Sequence, residues 1–488
     1  MIENINPSTV QIKWLAAVLV VAALLSALGR LVAPRQAIAE AVLIHGWAIV
    51  VLAFTLADSA LRIPFTDVAV VLAIAALGAV AVLARRRASP VPPALLRITA
   101  LALPLLLLVA AIVPTQWDEL AQWLPNTRYV VEHDAFPRGD PGGGRSAFPA
   151  YPYGLPFIIY LATRLAGAFA ENAGALFNVI LLLALGLLAV RVGRMAMAPD
   201  ALRPEAVASP GFGMCALAIC AATALNTTFV PKIAFTAYAD TSTAVTLAFC
   251  AGFLWFALNA LAERNDADAR AYAWCTGFSA TALVSLKQPN LVLFAAACIG
   301  ALLVALRDRA IGLGRLVRLA PAALSLPIIA YGAWRLNVWA HIPDGEFAIR
   351  PVSGWFVDLI PRIVGQMVLV ASKKGGYFAL MLASIALAIA SLDRMRGAGA
   401  RLAVLSASIF LIYNAFLLFT YIAAFDEMNA LRAGSYWRYN MHVGGVALLF
   451  AAFWTGRFWR RAAAPKPIAP IISAKILDAL VENAKNNT

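Results

Sequence analysis

The sequence predicts an all-α protein that crosses a lipid bilayer many times. Apolar residues make up 62% of its 488 residues and charged residues 13%, and the mean hydropathy is +0.80. A soluble chain is about half apolar and about a quarter charged. Polar side chains this scarce cannot cover a fold of this size, so lipid must solvate much of the surface. The composition excludes intrinsic disorder, a disulfide scaffold and a cytosolic multidomain enzyme.

About thirteen stretches are apolar enough to be bilayer spans, which need about 20 residues each. Backbone groups in hydrocarbon must be bonded within their own segment, so we expect each stretch to be a helix. The expected spans are residues 14–33, 41–57, 66–84, 98–113, 171–190, 211–226, 241–262, 271–286, 291–306, 319–334, 377–391, 402–424 and 439–455. They divide the chain into an N-terminal part of about three spans (1–96), a larger module (97–456) and a cytoplasmic tail (457–488).

The basic residues predict the orientation. The net charge is +14, but these residues lie in short clusters between apolar stretches, such as the arginines at 85–87. That placement is typical of cytoplasmic loops rather than of a nucleic-acid interface. All later basic clusters fall on the cytoplasmic side if the apolar stretch 154–169 does not cross the bilayer. Arg164 within it would cost at least ~3 kcal/mol at the bilayer centre. We therefore expect an amphipathic or re-entrant helix along the outer surface there.

This topology places most residues capable of chemistry in loops on the outer face. The loops are residues 114–170, 227–240, 287–290, 335–376 and 425–438. The glycine run 142–144 in the first loop is interpreted as a flexible linker rather than a phosphate cradle. The five cysteines all fall in apolar stretches without metal-ligand spacing, which indicates small core residues.

An acidic pair begins the first outer loop. Asp118 and Glu119 follow Trp117 a few residues beyond a span. One interpretation is a general base, with or without help from a divalent cation. The other is a helix cap, since acidic residues favour a first helical turn and a helix is expected over 120–127.

Several basic residues also lie on the outer side, against the usual orientation bias. Lys287 joins two apolar helices with almost no loop, and Lys373, Arg432 and Arg438 lie in the last two outer loops. Snorkelling to the interface is the ordinary explanation for Lys287. An anionic ligand at the membrane surface would explain the whole group.

Five short motifs follow one another on this outer face. They are Trp117-Asp118-Glu119-Leu120, then Tyr151-Pro152-Tyr153-Gly154-Leu155-Pro156, Tyr238-Ala239-Asp240, Ser285-Leu286-Lys287-Gln288-Pro289 and Arg438-Tyr439. In order and sidedness they resemble the GT-C superfamily of membrane glycosyltransferases. That superfamily includes aminoarabinose transferases, protein O-mannosyltransferases and arabinofuranosyltransferases. The resemblance covers about residues 98–455.

The resemblance implies a GT-C-like fold with an outer-face juxtamembrane helix in the first large loop. It also implies an inverting enzyme that moves a single sugar from a polyprenyl-phosphate donor to a lipid, glycan or protein acceptor. Such an enzyme would be a monomer in the bacterial cytoplasmic membrane, with its active site facing the periplasm and membrane lipids around it. No nucleic-acid partner is expected.

The resemblance also suggests roles for individual residues. Asp118 would be the base, with Glu119 as the alternative base or a metal ligand. The donor phosphate would be held by cations, namely Lys287 and Arg438, with Arg432 or Lys373 in reserve. The acceptor would be positioned by Tyr238, Asp240, Tyr151 and Tyr439. A divalent cation (Mg, Mn or Ca), if required, would be held by Asp118, Glu119 and Asp240.

The sequence leaves two other classes open. An O-antigen ligase or polymerase would also act on the outer face, but it would rely on loop arginine and histidine, here His133 and His341. A flippase or transporter of polyprenyl-linked lipid would carry ionisable groups near the bilayer midplane and broken helices.

Overall fold

The computed structural model describes residues 8–34, 36–138, 146–198, 203–342, 348–393 and 395–463. The expected glycine linker at 142–144 and the tail from 464 onward lie outside these ranges. Within them, every regular element is helical.

The α-helices are numbered in chain order. They are α1 (Thr9–Val32), α2 (Val42–Leu61), α3 (Phe65–Arg85), α4 (Pro93–Leu101), α5 (Leu103–Ala110), α6 (Leu124–His133), α7 (Gly154–Ala166), α8 (Ala173–Met197), α9 (Phe212–Ala222), α10 (Pro231–Ala234), α11 (Ala239–Ala262), α12 (Asp266–Val284), α13 (Asn290–Arg307), α14 (Leu313–Val317), α15 (Ala320–His341), α16 (Ile360–Ser372), α17 (Gly375–Ser391), α18 (Ala398–Ala423), α19 (Glu427–Leu431), α20 (Tyr436–Asn440) and α21 (Gly444–Ala463). A π-helical turn, Glu119–Trp123, precedes α6.

In the described part of the chain, eight helical segments are long and apolar enough to cross a membrane, or nine if one bent pair counts as a span. The chain is therefore an α-helical, multi-pass membrane protein with fewer clear spans than the thirteen expected. Two expected spans are short helices: α9 has 11 residues and α17 has 17. Both fall below the length of about 20 residues that a straight crossing needs.

Two helices form the centre of the bundle. Almost every side chain of α8 and α11 is buried, and α8 packs against α9, α11 and α21. Both are buried on all sides, which is typical of a helix enclosed by others. In contrast, α3 is exposed along most of its length, as expected for a helix that faces lipid.

One expected span is broken. Residues 98–113 do not form a single helix, because α4 and α5 meet at a bend of 62°. Pro104 lies in the first turn of α5 and lacks the N–H that would bond to the preceding turn. Asn172 supports the frayed end of α5 by donating from Nδ2 to the carbonyls of Ala110 and Ile112, both at 2.7 Å.

The expected surface helix in the first outer loop is α7. Its 13 residues span about 20 Å, too short to cross a bilayer. However, α7 is more enclosed than a helix lying on a surface, since most of its side chains are buried against α1, α2, α6 and α8. Only its C-terminal part, around Arg164 and Leu165, is exposed.

The stretch 335–376 is not one outer loop. α15 continues to His341, and the segment Val352–Ser372, which includes α16, is itself apolar and long enough to be a candidate span. Val364, Val368 and Leu369 of α16 are exposed. This outward apolar face indicates contact with lipid rather than with water.

Charged side chains pair at both ends of α11. At its end, Asn259 accepts from Arg401, whose Nε also donates to Asp308 at 2.8 Å. Asp240 lies at the beginning of α11, nineteen positions before Asn259. At 1.5 Å per residue the two places are about 28 Å apart, close to the ~30 Å thickness of the bilayer core. We call the end of the molecule that holds Asp240 the site end.

Two glycines set how closely α1 and α2 approach. A Cβ atom added at Gly29 would lie 1.8 Å from the carbonyl oxygen of Val42, and one at Gly46 would lie 1.9 Å from that of Leu25. Small residues at such positions let backbones pack tightly in membrane proteins.

We expect Gly29→Ala to destabilise the protein by about 1–3 kcal/mol or more, because the α1–α2 contact must open to admit the methyl group. Thermal unfolding in detergent measures this. Gly78→Ala on α3 is the matched control, since no described atom lies within 4 Å of its added Cβ. Equal melting temperatures for the two variants would contradict this account of the packing.

Candidate functional site

A buried carboxylate lies at the centre of the site end. Asp240 is the second residue of α11, and its side chain is fully buried. The guanidinium of Arg438 donates to it twice, from Nε to Oδ1 (3.1 Å) and from Nη2 to Oδ2 (2.8 Å). Lys287 Nζ donates to Oδ2 (3.0 Å), and His442 Nε2 lies 2.9 Å from Oδ1. A buried carboxylate is costly unless it is paired, and these bonds provide the pairing.

A second carboxylate reaches the same arginine. Asp118 Oδ2 accepts from Arg438 Nη2, and the Asp118 backbone N–H donates to the Tyr238 hydroxyl at 3.2 Å. The guanidinium carbon of Arg438 lies 4.3 Å from the centre of the Tyr238 ring. The side chain of Asp118 is 17% exposed, whereas that of Asp240 is 0% exposed. Asp118 is therefore the carboxylate that an approaching molecule can reach.

We call Asp118, Asp240, Lys287, Arg438 and His442 the Asp240 cluster. Burial lowers the pKa of His442 to about 4, although its bond to Asp240 opposes this shift. The imidazole is therefore neutral at pH 7, and it can donate from Nε2 to Asp240 while Nδ1 accepts from the Tyr413 hydroxyl at 2.8 Å. With two carboxylates and two cations, the cluster carries no net charge.

The two cations of the cluster differ in their environment. Burial lowers the pKa of Lys287, and Asp240 counteracts part of that shift. Burial also acts against the charge of Arg438, but Asp240 and Asp118 outweigh it and raise the pKa of the guanidinium. Arg438 is consequently the permanent cation of the site. Burial raises the pKa of Tyr238 to about 12, so that its hydroxyl stays protonated.

Helix termini bring these residues together. Lys287 lies in the tight turn between α12 and α13, where the Asn290 side chain donates to Thr243 Oγ1 of α11 at 3.0 Å and so ties the turn to α11. Arg438 and His442 are four positions apart in the helical segment that leads into α21, and both reach Asp240. Two chain segments distant in sequence from α11 thus bond to the Asp240 carboxylate, and Asp118 joins them through Arg438.

Glu119 has a different position from its neighbour. Its carboxylate is buried and accepts from backbone N–H groups, of Ala237 at 2.8 Å, Gln116 at 3.2 Å and Thr115 at 3.3 Å. Burial raises the pKa of Glu119, and these three bonds oppose the shift. Glu119 therefore holds the first outer loop against the start of α11. This favours a structural role over that of a second base.

Aromatic residues line the cluster beside Lys287. Its ammonium lies 5.9 Å from the ring centre of Trp123, which ends the π-helical turn. The Tyr151 ring is tilted against Trp123 at 6.4 Å and stacks on Phe148 at 5.3 Å. The Tyr439 ring lies 6.1 Å from that of His442. Tyr151 and Tyr439 are therefore neighbours of the cluster rather than members of it.

The two reserve cations lie outside the cluster. Arg432 and Lys373 are exposed. Lys374, next to Lys373, places its ammonium 5.1 Å from the ring centre of Trp437, which adjoins Arg438. Of this lysine pair, Lys374 is thus the residue directed toward the chain segment that carries Arg438.

The described residues do not fit the expected divalent-cation site. They contain no group of three or more His, Cys, Asp or Glu side chains that could hold a metal ion. Asp118 and Asp240 both bind Arg438, and Glu119 binds backbone amides. No step through a metal ion is derived from this arrangement.

Sequence reasoning missed His442 and Tyr413. The signal for His442 was available, because residues four apart share a helix face and His442 follows Arg438 by four positions. Tyr413 lies in the middle of an expected span, α18, and nothing in its sequence context sets it apart.

The chain as a whole matches no protein-family model, no curated protein and no solved structure. Its function must therefore be argued from the cluster itself.

Replacing His442 should change how stability depends on pH. Unfolded histidine titrates near pH 6.5 and folded His442 near 4, so the unfolded state takes up the proton first as the pH falls. Stability contributed by neutral His442 is then lost between pH 6.5 and 4, by up to ~3 kcal/mol. We expect His442→Gln to lose less stability over this interval than the wild type, measured by thermal unfolding in detergent.

His133→Gln is the control, because it removes an exposed histidine outside the cluster. If His442→Gln and the wild type lose the same stability between pH 6.5 and 4, the histidine is not held neutral as described.

Proposed function

We propose that this protein is an inverting glycosyltransferase of the GT-C type. It would transfer one sugar from a polyprenyl-phosphate donor to a lipid, glycan or protein acceptor at the outer face of the bacterial cytoplasmic membrane. The observation that carries the proposal is the convergence of an accessible carboxylate, Asp118, with two cations, Lys287 and Arg438, at one end of a membrane bundle. That set contains both a base and a site for a phosphate.

The proposed reaction needs one proton transfer and one displacement. An acceptor hydroxyl attacks the anomeric carbon of the donor sugar while Asp118 takes its proton. The bond between the anomeric carbon and the phosphate oxygen breaks, and its electron pair leaves with the polyprenyl phosphate. Direct displacement inverts the anomeric configuration. No general acid is required, because the leaving group is already a stable anion.

Lys287 and Arg438 are proposed to hold the charge of that leaving group. Arg438 has five N–H donors in a planar fork, which suits bidentate recognition of phosphate. Before the donor binds, these cations are neutralised by Asp118 and Asp240. An incoming phosphate would replace Asp118 on Arg438 and free that carboxylate to accept the proton of the acceptor hydroxyl.

Asp240 is proposed to support the cations rather than to contact the acceptor, because its side chain is completely enclosed. Tyr238 holds Asp118 through its hydroxyl and Arg438 through its ring. The aromatic wall of Trp123 and Tyr151 beside Lys287 offers flat apolar surfaces on which a sugar ring can pack.

A transporter of lipid-linked sugar is the second candidate, and one observation favours it. The helix pair α4–α5, which leads directly into Asp118, is bent by 62°. Broken helices of this kind form substrate sites in many transporters. Charged residues at the site end rather than at mid-span favour the enzyme. The ligase alternative gains no such support, because His133 stacks on Tyr129 at 4.0 Å instead of facing the cluster.

Transfer of labelled sugar tests the proposal. The purified chain in proteoliposomes is given a radiolabelled polyprenyl-phosphate sugar pool and a membrane extract as acceptor. We expect a covalent labelled product whose formation falls at least ~100-fold in Asp118→Asn, because a general base contributes that much or more. Lys287→Met should reduce transfer through weaker donor binding.

Asp426→Asn is the matched control. Asp426 is an exposed N-cap in the last outer loop, and asparagine caps a helix equally well. Full activity in folded Asp118→Asn would refute the base assignment. Label that accumulates inside the vesicles without any covalent product would identify a transporter instead.

A further inference from the structure

A groove opens between α1 and α3 at the site end of the molecule. It has a volume of about 220 Å³ and is lined almost wholly by apolar side chains of α1, α2, α3 and α7. Its floor is formed by Leu28 and Ala76, which belong to a small separate core that joins α1 to α3. From Leu28 and Ala76 toward Thr66, the two helices leave between them the space that forms the groove.

The dimensions of the groove suit one hydrocarbon chain. On α3 the lining runs from Thr66 to Ala76, ten positions or about 15 Å. That is half of the ~30 Å hydrocarbon core, the depth of a single leaflet. The volume is below the range of about 300–1,000 Å³ for pockets that enclose a whole small-molecule ligand. Val70, which lines the groove, and the neighbouring residues Val71 and Ile74 are exposed, so α3 borders lipid.

A fixed cation stands at the mouth of the groove. Arg164 lines the groove at the level of Thr66, and its side chain is 41% exposed. Nη2 donates to Asp134 Oδ1 at 3.0 Å, and the guanidinium carbon lies 4.9 Å from the Tyr160 ring centre. These contacts hold the guanidinium in one place.

The guanidinium retains donors for a ligand. Arg164 donates from Nη2 to Asp134 and to the Val131 carbonyl, and its guanidinium also interacts with the Tyr160 side chain. Asp134 in turn accepts from the Thr66 backbone and hydroxyl and from the Tyr160 hydroxyl. Other donors share the charge of Asp134, and the Arg164 side chain is partly exposed and has five N–H donors, so the guanidinium can also bind a phosphate oxygen.

We propose that this groove binds an anionic glycerophospholipid, with one acyl chain between α1 and α3 and the headgroup phosphate on Arg164. The polyprenyl donor does not suit this place. Gly154, at the other end of α7, donates its N–H to Ser285 beside Lys287 at 2.8 Å. Arg164 is ten positions further along the helix, about 15 Å away. A phosphate on Arg164 is therefore too far from the Asp240 cluster to react there.

Bound lipid would stabilise the N-terminal helices. A ligand that binds only the folded state raises its stability by mass action. The groove is lined by α1, α2, α3 and α7, so a bound lipid would also stabilise α7. The first residue of α7, Gly154, contacts the turn that carries Lys287. This inference concerns a separate site and does not depend on the proposed glycosyl transfer.

Native mass spectrometry of the full chain in detergent tests the inference with three probes: phosphatidylglycerol, phosphatidylcholine with the same acyl chains, and polyprenyl phosphate. We expect phosphatidylglycerol to bind about ten-fold more tightly than phosphatidylcholine. Arg164→Gln should abolish that preference, and Arg164→Lys should retain most of it. Ala73→Phe, which fills the groove, should remove binding of both phospholipids. Ala69→Phe fills the same groove and replaces Ala73→Phe if that variant does not fold.

Matched controls separate the groove from general lipid contact. Ala75→Phe adds the same bulk to an exposed position of α3 outside the groove lining, and Arg362→Gln removes an exposed arginine from α16. Both should bind phosphatidylglycerol as the wild type does. The inference is overturned if Ala73→Phe and Ala69→Phe both bind phosphatidylglycerol normally or if Arg164→Gln keeps the preference. It is equally overturned if polyprenyl phosphate displaces phosphatidylglycerol in a manner that requires Arg164.

Discussion

The site depends on one buried carboxylate. Asp240 lies at the beginning of the central helix α11, where no solvent reaches its side chain. An unpaired charge in such a place would cost several kcal/mol. Arg438, Lys287 and His442 remove that cost, and each comes from a segment distant in sequence from α11. The same bonds that make the buried charge tolerable therefore assemble the cations at one place.

The pairing also explains why the two aspartates differ. Asp240 is enclosed and saturated by donors, whereas Asp118 is partly exposed and bonded to Arg438 alone among the described cations. A carboxylate in the second situation can be exchanged for another anion at modest cost. The cluster thus has one replaceable member, Asp118, whose side chain is partly exposed. This asymmetry is the physical basis for giving Asp118 the chemical role and Asp240 the supporting one.

The convergence of Asp118, Lys287 and Arg438 could be predicted from sequence, because each lies at the end of an apolar stretch and helices of similar length return the chain to the same face. The hydrogen-bond partners could not. Whether Glu119 binds a substrate or a backbone amide depends on where Ala237 lies, which is a tertiary fact. The hydrogen bond between Tyr413 and His442 could not be predicted from the sequence either.

Hydropathy predicted the helices least well where a single residue interrupts an apolar stretch. A window average over 98–113 is insensitive to the missing N–H of Pro104, so the bend between α4 and α5 was not expected. The apolar helix α16 was assigned to an outer loop because the sidedness of the basic clusters placed the whole stretch 335–376 there. The exposed Arg432 and Lys373 show that a basic residue in a loop near the cluster in sequence need not reach it.

A double-mutant cycle between Asp240 and Lys287 tests most directly whether the cluster is one coupled unit. Asp240→Asn, Lys287→Met and the double variant are compared by their free energies of unfolding in detergent. We expect both single changes to destabilise the protein, since Asp240→Asn leaves the buried Lys287 without its carboxylate and Lys287→Met removes one of the three side chains that pair with Asp240. The double change should cost less than the sum of the two by at least ~1 kcal/mol. Effects that add to within about 0.5 kcal/mol would mean that the two side chains do not depend on each other.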